Sequence, residues 1–340
     1  MLGAGTRRAT APHRERPRDP ARERLGNLRA AQGATPGWMS SEEEIAMSTA
    51  TRPSFSELLA TRNVLLADGA TGTNYQDKGL GLGVAPEEWL FDSPDLVLEL
   101  HREFVAAGVD LILTDTFGAT SLRLADSALE GRAREVNLRA VELAREAAGD
   151  TVLVAGSLGP TGQLAEPLGP LGPDECAAAY AEQAAALQEG GVDLLVMETF
   201  FALEEAVPAI RGIQSASDLP LVVSFSFDRG THTMMGVSPR DFVDAVAPFG
   251  VAALGANCGR SLADADIVVA QLLEAAGDVP VWVKPNAGVP KMIGDQVVYE
   301  ATPEIIADHI RRYVDQGVRI VGGCCGSTPA HVAAIAAAIR

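Results

Sequence analysis

Aromatic residues are scarce in this chain, at 5% of 340 residues, and it has only four cysteines. The first shortage excludes a core built on stacked rings. With 47% hydrophobic residues, the core must come from Ala, Val, Leu and Ile. Positive charge is also short: 27 Lys and Arg face 45 Asp and Glu, for a net charge of -18. That balance excludes the basic footprint of a nucleic-acid or anionic-membrane binder. No apolar run approaches the roughly 20 residues that span a bilayer. The N-terminus lacks the apolar core of a secretory signal. Few cysteines, two of them adjacent, argue against a disulfide framework. These absences describe a cytoplasmic globular protein with reduced thiols, acting on small molecules. Homo-oligomerisation is left open by the sequence.

The first 50 residues differ from the rest. The stretch from Arg7 to Arg29 is rich in Arg, Pro and Ala and has no periodicity. It is expected to be a disordered or non-native N-terminal extension, with Met39 or Met47 as the natural first residue. A targeting peptide is disfavoured by Glu15, Asp19 and Glu23. Residues 51–340 read as a single domain. Short apolar runs alternate there with longer amphipathic stretches. The runs are Val64–Ala67, Val109–Leu113, Val152–Ala155, Val192–Met197, Leu221–Phe225, Val251–Leu254, Val281–Lys284 and Val318–Val321. Strands apolar on both faces predict a parallel sheet covered by helices. Eight such βα units predict an α/β fold of the (β/α)8 TIM-barrel type. A doubly wound open sheet is the alternative, but the turn Asp68-Gly69-Ala70-Thr71-Gly72-Thr73 lacks the spacing of a dinucleotide fingerprint.

Barrel chemistry sits at the C-terminal strand ends. There the sequence places Asp68, Asp115, Ser157, Glu198-Thr199, Asn257-Cys258, Lys284 and Cys324-Cys325. Strands 4, 6 and 8 are all even, so Glu198, Cys258 and one of Cys324 and Cys325 are expected in one layer. Cys258, Cys324 and Cys325 offer the three thiolates of a catalytic zinc site with an open fourth position. Adjacent residues of a straight strand point to opposite faces. A shared ion therefore requires a sharp turn at Cys324-Cys325, for which Gly322, Gly323 and Gly326 are suited. Cys176 reads as an ordinary helix cysteine. A zinc carrying three thiolates suits the binding and activation of a substrate thiol. The implied reaction is alkyl transfer to sulfur.

The motifs Asp68-Gly69-Ala70-Thr71-Gly72-Thr73, Thr114-Asp115-Thr116-Phe117-Gly118, Gly156-Ser157-Leu158-Gly159-Pro160, Met197-Glu198-Thr199, Gly255-Ala256-Asn257-Cys258 and Gly322-Gly323-Cys324-Cys325-Gly326 occur in that order. Together they closely resemble the zinc-dependent homocysteine S-methyltransferases, over residues from about 55 to 340. The resemblance implies Zn2+ on Cys258, Cys324 and Cys325. It also implies that Glu198, with Asp68 close by, receives the homocysteine ammonium. Backbone N–H groups of Gly69, Ala70 and Thr71 are suited to the substrate carboxylate, and Asn257 to orienting the Cys258 loop. Tyr75, Trp89 and Phe117 are the aromatics expected near the mouth, where a quaternary ammonium donor is best held. Trp89 resembles a cage position of the betaine enzymes, whereas Gly118 stands where those enzymes carry an aromatic. Bacterial betaine-dependent members are the nearest resemblance, so betaine is the expected methyl donor. S-methylmethionine, a corrinoid donor, and a zinc-carrying homocysteine-binding protein without catalysis are the alternatives.

Overall fold

A capped helix precedes the first strand. Ser54 Oγ accepts the Glu57 N–H, while the Glu57 carboxylate accepts the Ser54 N–H, which fixes the start of α1 (Phe55–Thr61). The computed structural model describes residues 52–81, 83–293 and 296–340. The expected N-terminal extension, residues 1–50, lies outside the described residues.

The chain then runs through β1 (Leu65–Leu66), α2 (Gly72–Asp77), a 3-10 turn (Pro86–Glu88), α3 (Trp89–Asp92) and α4 (Pro94–Ala106). Next come β2 (Leu111–Leu113), α5 (Ser121–Leu124), α6 (Ala133–Ala148), β3 (Leu153–Leu158), α7 (Pro173–Gly190), β4 (Leu194–Phe200) and α8 (Leu203–Ala216). They are followed by β5 (Leu221–Phe225), α9 (Pro239–Val246), β6 (Ala253–Cys258), α10 (Leu262–Ala275) and β7 (Val281–Pro285). A hairpin of β8 (Pro290–Ile293) and β9 (Gln296–Tyr299) leads into α11 (Pro303–Gln316), β10 (Ile320–Val321) and α12 (Pro329–Ile339).

Eight strands form one parallel sheet in the order β1-β10-β7-β6-β5-β4-β3-β2. A parallel bridge between Ala67 and Leu111 brings the two ends together. The result is the expected (β/α)8 barrel, not an open doubly wound sheet. The seam is short of backbone ladder, and carboxylates complete it. Asp110 Oδ2 accepts the Leu66 N–H at 2.8 Å, and Asp68 Oδ2 accepts the Leu113 N–H at 2.7 Å.

Side-chain alternation sorts the strands into two layers. Leu194 and Val196 join Leu65, Ala67, Leu111, Leu113, Leu153, Ala155, Val222, Ala253, Trp282 and Ile320 in the barrel interior. Phe55 and Leu58 of α1 pack into the same cluster. Leu195 and Met197 face the helices instead. The strands also run further than their apolar runs suggest. β3 and β6 continue through Ser157 and Cys258, which still pair across the ladder, and β4 continues through Glu198 across a register shift between Met197 and Phe200. The β8–β9 hairpin was not expected from the sequence.

Trp282 is fully buried inside the barrel and lies in register with Gly255 of β6. A Cβ on Gly255 would stand 1.8 Å from the Trp282 carbonyl oxygen, so the two strands cannot keep their spacing around any side chain there. Gly255→Ala is expected to cost at least the ~1–3 kcal/mol of an overpacked core. Thermal denaturation should then show a midpoint lowered by roughly 2–12 °C.

Candidate active site and metal centre

A cavity of about 960 Å³ opens at the C-terminal ends of the strands. Glu198, Thr199, Cys258, Lys284, Tyr299, Cys324 and Cys325 line it. The three sulfurs lie within 4.8 Å of one another, in the arrangement of a metal-holding group. Cys258 Sγ is 3.0 Å from Cys324 Sγ and 3.8 Å from Cys325 Sγ.

The backbone that gathers them is strained. Among the described residues, Thr199 and Cys258 are the non-glycine residues with positive φ, at 66° and 58°. A β-branched threonine in that region is costly, and such conformations persist only where surrounding contacts over-determine them. Asn257 supplies those contacts. Its Oδ1 accepts from Thr199 N at 2.8 Å and from Ser224 Oγ at 2.6 Å. Its Nδ2 donates to Thr199 Oγ1 at 2.7 Å and approaches Cys324 Sγ at 3.7 Å. The positive φ at Cys258 breaks strand alternation and turns its sulfur toward Cys324. Asn257→Ala should therefore loosen the cluster without removing a ligand. Zinc affinity is expected to fall by about 10–100-fold, the usual effect of losing a ligand-orienting partner, as read by competition against a chromophoric chelator.

The three glycines beside Cys324 and Cys325 do different work from that expected. Only Gly326 has a positive φ, 78°. Gly322 and Gly323 serve close approach: a Cβ on Gly322 would meet Asp68 O at 2.9 Å, and one on Gly323 would meet Ser327 Oγ at 2.3 Å. The loop is pinned by Gly323 N–H to Asp68 O, Cys324 N–H to Pro285 O, and Ala287 N–H to Cys325 O, at 2.8–3.0 Å. The Gly-Gly pair thus presses the cysteine loop against the turn after β1.

The thiols are electrostatically uneven. Cys258 is pushed well above the usual thiol range, first by its hydrogen bond to Cys324, then by that to Cys325 and by burial. Cys325 is pulled down to about 3 by the contacts from Cys258 and Cys324, with help from Tyr299. One anion is stabilised within the cluster and further ones repel it. A soft divalent cation removes that repulsion, so the donor set fits zinc.

Glu198 Oε1 accepts from Ser157 Oγ at 2.6 Å. Burial pushes its carboxyl up to about 7, against the pull of Lys284. Lys284 is itself buried. Burial opposes its charge, but Asp68 and Glu198 outweigh that and raise it. Its Nζ bonds Asp68 Oδ1 at 2.8 Å. Both Asp68 oxygens are thus engaged, by Lys284 and by the Leu113 N–H. Asp68 is turned to Lys284 and the seam, whereas Glu198 lines the cavity beside the three cysteines.

The remaining expected residues divide. Gly69, Ala70 and Thr71 line the cavity, but the Ala70 N–H is spent on Ser327 O at 3.1 Å. Phe117 lines it and is 38% exposed. Tyr75 and Trp89 are not among its lining residues. Tyr75 is fully buried with its ring 4.9 Å from that of Trp89, because the α2 and α3 segments turn these faces into the helix layer. Tyr299 is a lining residue that the sequence did not suggest. It comes from the hairpin, touches Cys325, and sits over Gly326, where a Cβ would meet its ring at 2.2 Å. Cys176 is buried in α7, away from the cluster, with its sulfur 3.5 Å from Glu205 O.

A cluster of three cysteine sulfurs on the wall of a cavity at the C-terminal face of a parallel barrel defines a class of proteins with a small-molecule cavity and a group able to hold a metal ion. Comparison with known proteins narrows the class. The homocysteine S-methyltransferase model matches residues 65–339, and the chain belongs to that family. Methionine synthase of Mycobacterium leprae (strain TN) is 31% identical over 304 residues, which are 83% of this chain and 25% of that protein. The chain therefore spans about a quarter of that relative's length. The metallated form of the homocysteine methyltransferase MmuM from Escherichia coli is 27% identical, with a TM-score of 0.70 over 82% of this chain and 98% of that one. Its apo form matches with a TM-score of 0.65. Among the described residues, no helix is long and apolar enough to cross a membrane.

Proposed function

We propose that this protein moves a methyl group from an onium donor to the sulfur of homocysteine, giving methionine, with zinc on Cys258, Cys324 and Cys325. The observation that carries the reading is the convergence of three sulfurs within 4.8 Å on the wall of the cavity that also holds Glu198. Zinc held there supplies the positive charge that ionises a thiol near neutral pH. The chain's own residues do the rest. Glu198 receives the substrate ammonium, and Ser157 and Lys284 hold that carboxylate in place. Asp68 fixes Lys284. The amides of Gly69 and Thr71 face the substrate carboxylate. The homocysteine sulfur attacks the methyl carbon in line. A carbon–sulfur bond forms, the bond from methyl to the onium atom breaks, and its electron pair stays on that atom, which loses its positive charge.

Betaine is the donor to test first. S-methylmethionine is a second reading, favoured by the placement of Tyr75 and Trp89 outside the cavity, since a trimethylammonium is best held over aromatic faces. Methionine formation should be followed with homocysteine and betaine, dimethylsulfoniopropionate, S-methylmethionine or methylcobalamin. Turnover with an onium donor supports the proposal. Turnover with methylcobalamin alone points to a corrinoid donor, and homocysteine binding with no turnover points to a non-catalytic protein. Either result contradicts it.

A further inference from the structure

Two cations stand among the residues that line the cavity, Lys284 and Arg123. Lys284 is spent on Asp68 at 2.8 Å. Arg123 is exposed and makes no ion pair with any described residue. Its place is fixed from both ends. Thr120 Oγ1 accepts the Arg123 N–H at 3.1 Å and so caps α5. The side chain then crosses from the loop after β2 to the loop after β3, over two glycines. A Cβ on Gly162 would collide with Nη1 of Arg123, and one on Gly118 would stand 3.4 Å from its Cγ and 2.9 Å from Glu87 Oε1. Gly162 has a φ of 81°, so the turn and the guanidinium both call for glycine there. No aromatic side chain could stand at 118 beside Glu87 and Arg123. Glu87 feels the charge of Arg123, which eases its burial, but the two groups stay beyond ion-pair distance. A guanidinium seated in a slot with its charge unpaired suits the bidentate recognition of a carboxylate. The room is there as well. At about 960 Å³ the cavity is near the upper end of the roughly 300–1,000 Å³ of small-molecule sites, more than homocysteine alone fills.

We infer that Arg123 binds the carboxylate of the methyl donor, so that this site takes onium donors that carry an acid group. This rests on the proposed transfer from an onium donor and names the end by which the protein holds it. A donor anchored by its acid end keeps its methyl end free for the sulfur. Homocysteine also bears a carboxylate, but its sulfur and ammonium are committed to the cysteines and Glu198, whereas Arg123 is an exposed group of the cavity wall.

The test uses pairs of probes that share one shape and one onium charge and differ in the acid group: betaine with betaine amide, and S-methylmethionine with its carboxamide. Calorimetry is run on the whole zinc-loaded protein, with and without homoserine, the unreactive oxygen analogue of homocysteine. The acid of at least one pair should bind at least about tenfold tighter than its amide, the size of one charge-assisted contact. Arg123→Gln should abolish that preference, and Arg123→Lys should keep part of it. Homocysteine affinity should stay unchanged in both variants. A loss of homocysteine affinity in Arg123→Gln would put the substrate's own carboxylate on this group and overturn the inference. Equal binding of acid and amide in both pairs, or a preference that survives Arg123→Gln, would leave Arg123 as the counter-charge of Glu87 and overturn it too, as would failure of both acids to bind. None of these readings depends on turnover. A failure of onium transfer is therefore seen separately, as absence of methionine with the Arg123-dependent preference intact.

Discussion

Replacing Cys258 with alanine is expected to take bound zinc from about one per chain to none that survives dialysis. Methionine formation should fall by more than ~100-fold, beyond the effect of losing an outer partner of a metal. The reasoning is geometric. Cys258 is the centre of the sulfur group, within 3.0 Å of Cys324 and 3.8 Å of Cys325. Without it, the two neighbouring cysteines of one loop remain, and two thiolates make an incomplete site for a metal that favours four ligands. The fold should survive. Cys258 is partly exposed at the end of β6, and relief of its positive φ is not available to alanine either, so the stability change stays small. Cys324→Ala and Cys325→Ala should give the same zinc loss, whereas Cys176→Ala should keep zinc and activity. Metal analysis with parallel activity assays checks all four. Full activity in the zinc-free Cys258→Ala protein would exclude a metal role for the cluster.

The second large effect falls on Glu198. Glu198→Gln keeps the shape and the Ser157 contact but removes the charge facing a substrate ammonium. Losing one partner of a buried charge pair costs about 2–5 kcal/mol, so the homocysteine KM should rise at least ~30-fold. Zinc content should not change. The pH dependence carries a sign. Burial pushes the Glu198 carboxyl up to about 7, so below that pH it is neutral and cannot pair with an ammonium. The homocysteine KM of the unaltered enzyme should therefore fall as pH rises through about 7, and this limb should vanish in Glu198→Gln. Stability moves the other way. The folded carboxyl holds its proton above the ordinary value of 4.5, so the folded state binds the extra proton between 4.5 and about 7. Stability from this group is lost as pH rises through that window. Glu198→Gln should flatten that slope in denaturation curves.

Much of this was legible in the chain. The eight barrel strands announce themselves as apolar runs because both faces of a barrel strand are buried. What blurred their ends was the site itself. β4 continues through Glu198 and β6 through Cys258, and a pattern read on hydrophobicity stops at the first polar residue. The hairpin carrying Tyr299 was hidden for another reason: Pro290 and Lys291 open it, and its strands are four residues each. Its signal was Gly294-Asp295, a two-residue turn dipeptide between the short runs Met292-Ile293 and Val297-Val298. Cys258, Cys324 and Cys325 could be grouped from strand order. The positive φ values at Thr199 and Cys258, which make the grouping work, have no signature in residue type, since neither is glycine. Tyr75 and Trp89 show the converse limit. Sequence places them on mouth-side segments, but helix phase decides which face they take, and it turned both inward.

On the proposed function, the three cysteines hold zinc with a place for the sulfur of homocysteine. X-ray absorption at the zinc edge tests it directly. The loaded protein should show three sulfur neighbours at about 2.3 Å, and addition of homocysteine should raise the sulfur count by one. An unchanged count on addition of homocysteine, or a first shell without sulfur, would contradict the account.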